Sequence, residues 1–136
     1  MPALRMILRI AAAVGLAIDA GVHAQLAGQY DAVSASISEG ALFRIESGAA
    51  ALAVVLVLAW RKPAGDIFAA LTAVGGLAAI LLYRYVDVGA LGPLPDMFEP
   101  VWFTGKVWAL AGQALALLAL IPLLSLRTAD HRPVPV

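Results

Sequence analysis

Long apolar runs alternate with short polar breaks along the whole chain. Four runs approach the roughly 20 residues an α-helix needs to cross about 30 Å of hydrocarbon: 6–27, 42–60, 67–83 and 101–126. The pattern predicts an all-α protein, a single four-helix transmembrane bundle made of two antiparallel hairpins. Between the second and third runs only residues 61–66 remain, with Pro63, Gly65 and Asp66; they predict a tight turn followed by an N-cap. Longer loops, 28–41 and 84–100, leave from the opposite side. Pro100 precedes the fourth run and Pro122 lies near its end, where proline disturbs only the last turn.

Composition agrees with the membrane reading. Of 136 residues, 62% are hydrophobic and 13% charged, against roughly 45–50% and 25% in soluble domains. So apolar a chain excludes intrinsic disorder. The absence of cysteine excludes a disulfide scaffold, a thiol nucleophile and cysteine-based zinc or iron–sulfur sites. Nine Lys and Arg balance nine Asp and Glu, but not evenly in space. Arg5, Arg9, Arg61, Lys62, Arg127 and Arg132 flank the side holding the termini, and only Arg44, Arg84 and Lys106 the other. Because basic residues near span ends favour the cytoplasm, both termini are expected inside, with residues 128–136 a short cytoplasmic tail. The neutral total is then the sum of a basic inner face and an acidic outer half.

The N-terminus admits a second reading. Arg5 and Arg9, the apolar stretch 10–18 and Val22-His23-Ala24 before Gln25 also fit a secretory signal with a small-x-small cleavage site. Cleavage after Ala24 would leave three spans. A weak internal repeat argues against it. Tyr30-Asp31, a loop and Glu39 to Phe43 parallel Tyr85 to Asp87, a loop and Glu99 to Phe103. Each half reads helix, aromatic and acid, outer loop, acid, helix, as in parallel-repeat membrane folds with a pseudo-twofold along the membrane normal.

Charged residues within spans are costly, so they face the interior and find partners. Asp19 and His23 share a stripe with Ala11 and Gly15, four residues apart on one helix face. Small residues admit a neighbouring helix at one end of the stripe, and the polar pair meets it at the other. Arg44 and Glu46, Arg84 and Asp87, Glu99, Lys106 and Gln113 lie at similar height. Together with Asp19 and His23 they predict an outer polar network, with Asp19 and Glu46 offsetting Arg44, and Glu99 or Asp96 near Lys106. The pair either specifies packing or handles protons, since a carboxylate one turn from an imidazole orients it and raises its basicity. His23, Asp96, Met97 and Glu99 are weak metal candidates, thioether and imidazole suiting copper. A bis-histidine haem within one chain is excluded, because His131, the other histidine, lies in the tail.

Loop 89–100 holds three prolines and two glycines among apolar residues, which predicts a cap or lid folded onto the helix ends. Trp60, Tyr83, Tyr85, Trp102 and Trp108 fall near span ends, where an aromatic belt sits. No phosphate-binding glycine fingerprint, paired-histidine metal helix or nucleophile elbow occurs. No basic patch supports nucleic-acid binding, and no cofactor is predicted. Expected partners are the lipid bilayer and another membrane protein or a second copy.

In length and four-span layout the chain resembles small bacterial membrane families of the DoxX type, without a shared motif. Its alanine-rich, lysine-poor wording suits a bacterium. The leading functional expectation is a non-catalytic accessory or assembly subunit. The alternatives are a small transporter or proton-coupled carrier using Asp19, His23, Arg44 and Lys106, and a metal or cofactor protein.

Overall fold

The computed structural model describes residues 2–130, 133 and 135. Four helices account for most of them: α1 (Pro2–Leu26), α2 (Glu39–Val55), α3 (Pro63–Tyr85) and α4 (Thr104–Asp130). A 3₁₀ turn, Ala27–Tyr30, follows α1, and one wide π-helical stretch, Leu56–Trp60, extends α2. Among the described residues there is no β-strand; single bridges, Ser34 to Ser38 and Leu91 to Leu94, pin the loops.

Local chemistry sets the boundaries. Ser38 caps α2, its hydroxyl accepting the Ala41 N–H at 2.9 Å, and Glu39 places a carboxylate at the positive helix end. Helix α3 begins four residues before the expected Ile67, because Pro63 occupies its first turn behind an extended Lys62. Proline lacks the N–H that is unused there and has a helical φ already. Asp66 is therefore inside the helix and not its cap. Helix α4 starts at Thr104, three residues later than expected, and runs through Pro122 to Asp130. The tail expected from 128 is thus helical to 130, and His131 and Arg132 lie outside the described residues. The late start also breaks the internal repeat: Glu39 opens α2, whereas Glu99 stands five residues ahead of α4.

The helices pack in cyclic order, α1 against α2 and α4, and α3 against α2 and α4. Small residues make the core, with Ala12, Ala53, Ala69, Ala73 and Ala116 fully buried around Leu16, Leu120 and Leu123. Contact is closest where α1 crosses α4: a Cβ added to Gly15 would lie 2.3 Å from the Gly112 carbonyl oxygen. Such crossings gain dispersion energy from backbone approach, the mode available when lipid is as apolar as the core. Large apolar side chains point outward on every helix, among them Ile10, Leu52, Leu71 and Leu118. Helices α2 (with its extension), α3 and α4 are each long and apolar enough to cross a membrane; α1, carrying Arg9, Asp19 and His23, is not among the three.

At the end holding the termini, Asp66 is completely buried and saturated with donors. Arg9 grips both its carboxylate oxygens, at 2.9 and 3.2 Å, and Arg127 Nε adds a third bond at 2.8 Å. The same arginines donate to the Val57 and Arg61 carbonyls, which lie where α2 unwinds and helical donors run out. Arg61 itself sits in the left-handed region, φ 57°. Arg9, a flanking charge by sequence, is instead part of a buried tie among all four helices whose centre is Asp66.

Candidate functional site

At the opposite end, four helix faces surround a cavity of about 360 Å³. The periodicity of each helix places its polar groups there. On α2, Glu39, Phe43 and Glu46 fall at intervals of four and three, and so share one face. Val22, His23 and Leu26 contribute from α1, Gly76, Ala79 and Tyr83 from α3, and Lys106 and Ala109 from α4. Met97 and Glu99 of the loop between α3 and α4 complete the wall. The lining is mainly apolar, with His23, Glu39, Glu46, Glu99 and Lys106 converging on it.

The cavity is open on one side. Gly75 and Ala79 of α3 and Ile45 of α2 line it yet remain solvent-exposed, and α2 and α3 are the least intimately packed neighbours. A Cβ at Gly75 would meet nothing within 4 Å. The gap thus faces the surface along which the apolar side chains are displayed.

Under the cavity lies a buried polar stack. His23 Nδ1 is 2.7 Å from Asp19 Oδ1 and 2.9 Å from the Asp19 carbonyl oxygen, while Gln113 Nε2 donates to Asp19 Oδ1 at 3.3 Å. Asp19 and Gln113 have no exposed surface at all. Gly76 makes room for this stack: a Cβ there would fall 2.2 Å from Gln113 Nε2 and 2.6 Å from Glu46 Oε1. Asp19 Oδ2, Glu46 Oε1 and Gln113 Oε1 are buried and have no partner. Buried polar atoms are normally satisfied, so three orphans in one place distinguish this floor from ordinary packing.

The rim is better satisfied. Lys106 Nζ donates to the Glu99 and Val101 carbonyls, both at 2.8 Å, and lies 3.7 Å from the Glu99 carboxylate. The Tyr30 hydroxyl donates to Glu99 Oε1 at 2.9 Å; burial, followed by that carboxylate, raises the phenol well above its ordinary pKa. Glu39 is 93% buried on the cavity wall by its 7% exposure, and among the described residues its carboxylate receives no hydrogen bond.

Several sequence expectations need correction. Arg44 does not meet Asp19 or Glu46; it is exposed and forks onto Asp31 at 2.6 and 3.0 Å. Arg84 stacks over Tyr85 and Trp102, at 4.7 and 5.4 Å, with its Nε orphaned, and does not line the cavity. Asp87 and Asp96 each accept a backbone N–H two residues on, closing small turns at the surface, so Asp96 is not beside Lys106. Of the metal candidates His23, Met97 and Glu99 line the cavity and Asp96 does not; among the described residues no three His, Asp or Glu side chains are grouped to hold an ion. Glu39, absent from the expected set, is part of the site. Its signal was its place seven residues before Glu46 at the start of a span.

No family model, curated protein sequence or solved structure matches the chain. The cavity offers acceptors, one engaged ammonium and one engaged imidazole, and no Ser, Thr or Cys among its lining residues.

Proposed function

We propose that the chain is a four-span membrane protein, with its termini and the 61–62 turn on the cytoplasmic side, that binds a small amphiphile without transforming it. The observation that carries this reading is the cavity, open between α2 and α3. Its volume lies within the range of small-molecule sites, about 300–1,000 Å³, and its mostly apolar wall with a few convergent polar groups has their usual chemistry. The opening faces the apolar surface, so the ligand enters from the bilayer. Held in this way, it is available to a partner, the role of an accessory subunit. Burial of Arg9, Asp19 and His23 of α1 among the other helices favours a retained N-terminus over a cleaved signal.

Thermal shift of the full chain in mild detergent, against a panel of amphiphiles, tests the binding. Stabilisation that disappears in Ala79→Trp, which fills the opening, is expected; stabilisation unchanged by that variant would defeat it. Because the chain has no cysteine, single cysteines at Ser36 and Lys62 report orientation directly. An impermeant maleimide should label Ser36→Cys in intact cells and Lys62→Cys only after lysis.

A second reading, a proton-coupled carrier, is favoured by the orphaned oxygens of Asp19 and Glu46, whose carboxyls face each other beneath the cavity. A proton held between them would satisfy both. On that reading Asp19→Asn abolishes proton-linked flux in vesicles while folding persists; equal loss of both would return Asp19 to a packing role.

A further inference from the structure

We infer that the ligand of this cavity is a lipophilic ammonium, an organic amine with an apolar, ring-containing body. The inference deepens the binding reading above and rests on it. It starts from which wall groups are already engaged. Two of the three Lys106 ammonium hydrogens are committed to the Glu99 and Val101 carbonyls, and its remaining face is turned to the Glu99 carboxylate. His23 directs Nδ1 at Asp19. The Lys106 ammonium is thus occupied by its neighbours, and His23, with Nδ1 committed to Asp19, offers the cavity only its Nε2 edge.

The acceptors are in surplus. Glu99 is served by Tyr30 and Lys106, but the Glu39 carboxylate has no donor among the described residues and Glu46 Oε1 is buried without one. These two carboxyls stand seven residues apart on one face of α2, about 10 Å along its axis at 1.5 Å per residue. Phe43 lies between them on that face, and Tyr83 and Phe103 also line the space. Acceptors without donors in a mostly apolar cavity, flanked by aromatic faces, are complementary to a group that brings N–H donors and positive charge together. A neutral alcohol would satisfy one acceptor and bring no positive charge. A carboxylate would meet a wall already rich in carboxyls.

Three probes of one shape and different heads separate these possibilities: 1-naphthylmethylammonium, 1-naphthylmethanol and 1-naphthoate. Binding is measured to the full chain in lipid nanodiscs, with empty nanodiscs subtracted for partition. The ammonium is expected to bind at least about tenfold more tightly than the alcohol, the scale of one charge-assisted hydrogen bond, and the naphthoate not at all. Because the two carboxyls stand about 10 Å apart, one ammonium engages one of them: Glu39→Gln, at the carboxylate without a donor, should weaken the ammonium about tenfold and Glu46→Gln less, with retained binding of the alcohol showing that both variants are folded. Equal binding of ammonium and alcohol, preferred binding of naphthoate, or indifference of the ammonium to both substitutions would overturn the ammonium assignment while leaving a binding cavity. Absence of protein-dependent binding by all three would overturn the cavity reading as well.

Discussion

The two ends of the molecule bury similar groups in opposite ways. Asp66 and Asp19 both have zero exposure, and each faces basic or amide groups from other helices. Around Asp66 every carboxylate oxygen has a donor, and each of the two arginines also donates to one helix-end carbonyl. Around Asp19 one oxygen is orphaned, as are atoms of Glu46 and Gln113, and a cavity adjoins. A closed set of bonds fixes a geometry; an open set beside empty space leaves bonds for something else to make. Stability is therefore concentrated at the Asp66 end, and the capacity to take a ligand at the Asp19 end.

Breaking the closed set should have the largest effect. Asp66→Asn leaves the buried Arg9 and the half-buried Arg127 without their counter-charge, and the loss expected from such a rupture is about 3–5 kcal/mol, read by denaturant unfolding in detergent. Glu46→Gln removes a carboxylate that has an orphaned oxygen, so its expected change is within about 1 kcal/mol, or a gain. If the two variants unfold alike, the contrast between the ends fails.

The glycines sharpen the same contrast. Gly15→Ala drives a methyl into α4 backbone, 2.3 Å from the Gly112 carbonyl oxygen, and should cost about 1–3 kcal/mol as the helices part. Gly76→Ala meets the ends of Gln113 and Glu46, at 2.2 and 2.6 Å, and those side chains can move into the cavity. A smaller loss of stability is expected there, together with weaker ligand binding.

Lys106 ties the loop to the cavity rim, and its removal should act locally. Lys106→Met frees the Glu99 and Val101 carbonyls, so hydrogen exchange in residues 94–103 should rise while amides of the α1–α4 crossing keep their protection. Exchange rising equally at both places would mean that the rim and the crossing are one cooperative unit.

The four helices were legible because apolar length is a strong signal and needs no partner to be read. So was the Asp19 stripe, since four-residue spacing fixes a helix face wherever the helix lies; Gly15 does meet α4, and Asp19 does meet Gln113. Partners of long side chains were not legible. Arg44 reaches Asp31 across a loop whose path no periodicity describes. Arg9 lies within the run 6–27, where a charge is costly, and that cost was a readable clue. Its partner was hidden because Asp66, placed in a turn, offered a complete local explanation as a cap. Pro63 had moved the helix start and cancelled it.

The smallest effect belongs to an exposed ion pair outside both buried sets, Asp31 with Arg44. Asp31 and Arg44 are both exposed, bonded at 2.6 and 3.0 Å, and the guanidinium hydrogen bond holds the Asp31 carboxyl below its ordinary pKa. A carboxylate whose folded pKa is depressed adds stability above its unfolded pKa and loses it as pH falls through the folded value. Arg44→Gln should therefore lower the unfolding temperature slightly at neutral pH. The gap from wild type should close as acid protonates Asp31, and also in high salt, which screens an exposed pair. A gap that persists under acid would show that Arg44 acts through its stem packing on the loop and not through its charge. The pair would then belong with the structural contacts of the Asp66 end, in the half of the molecule assigned to binding.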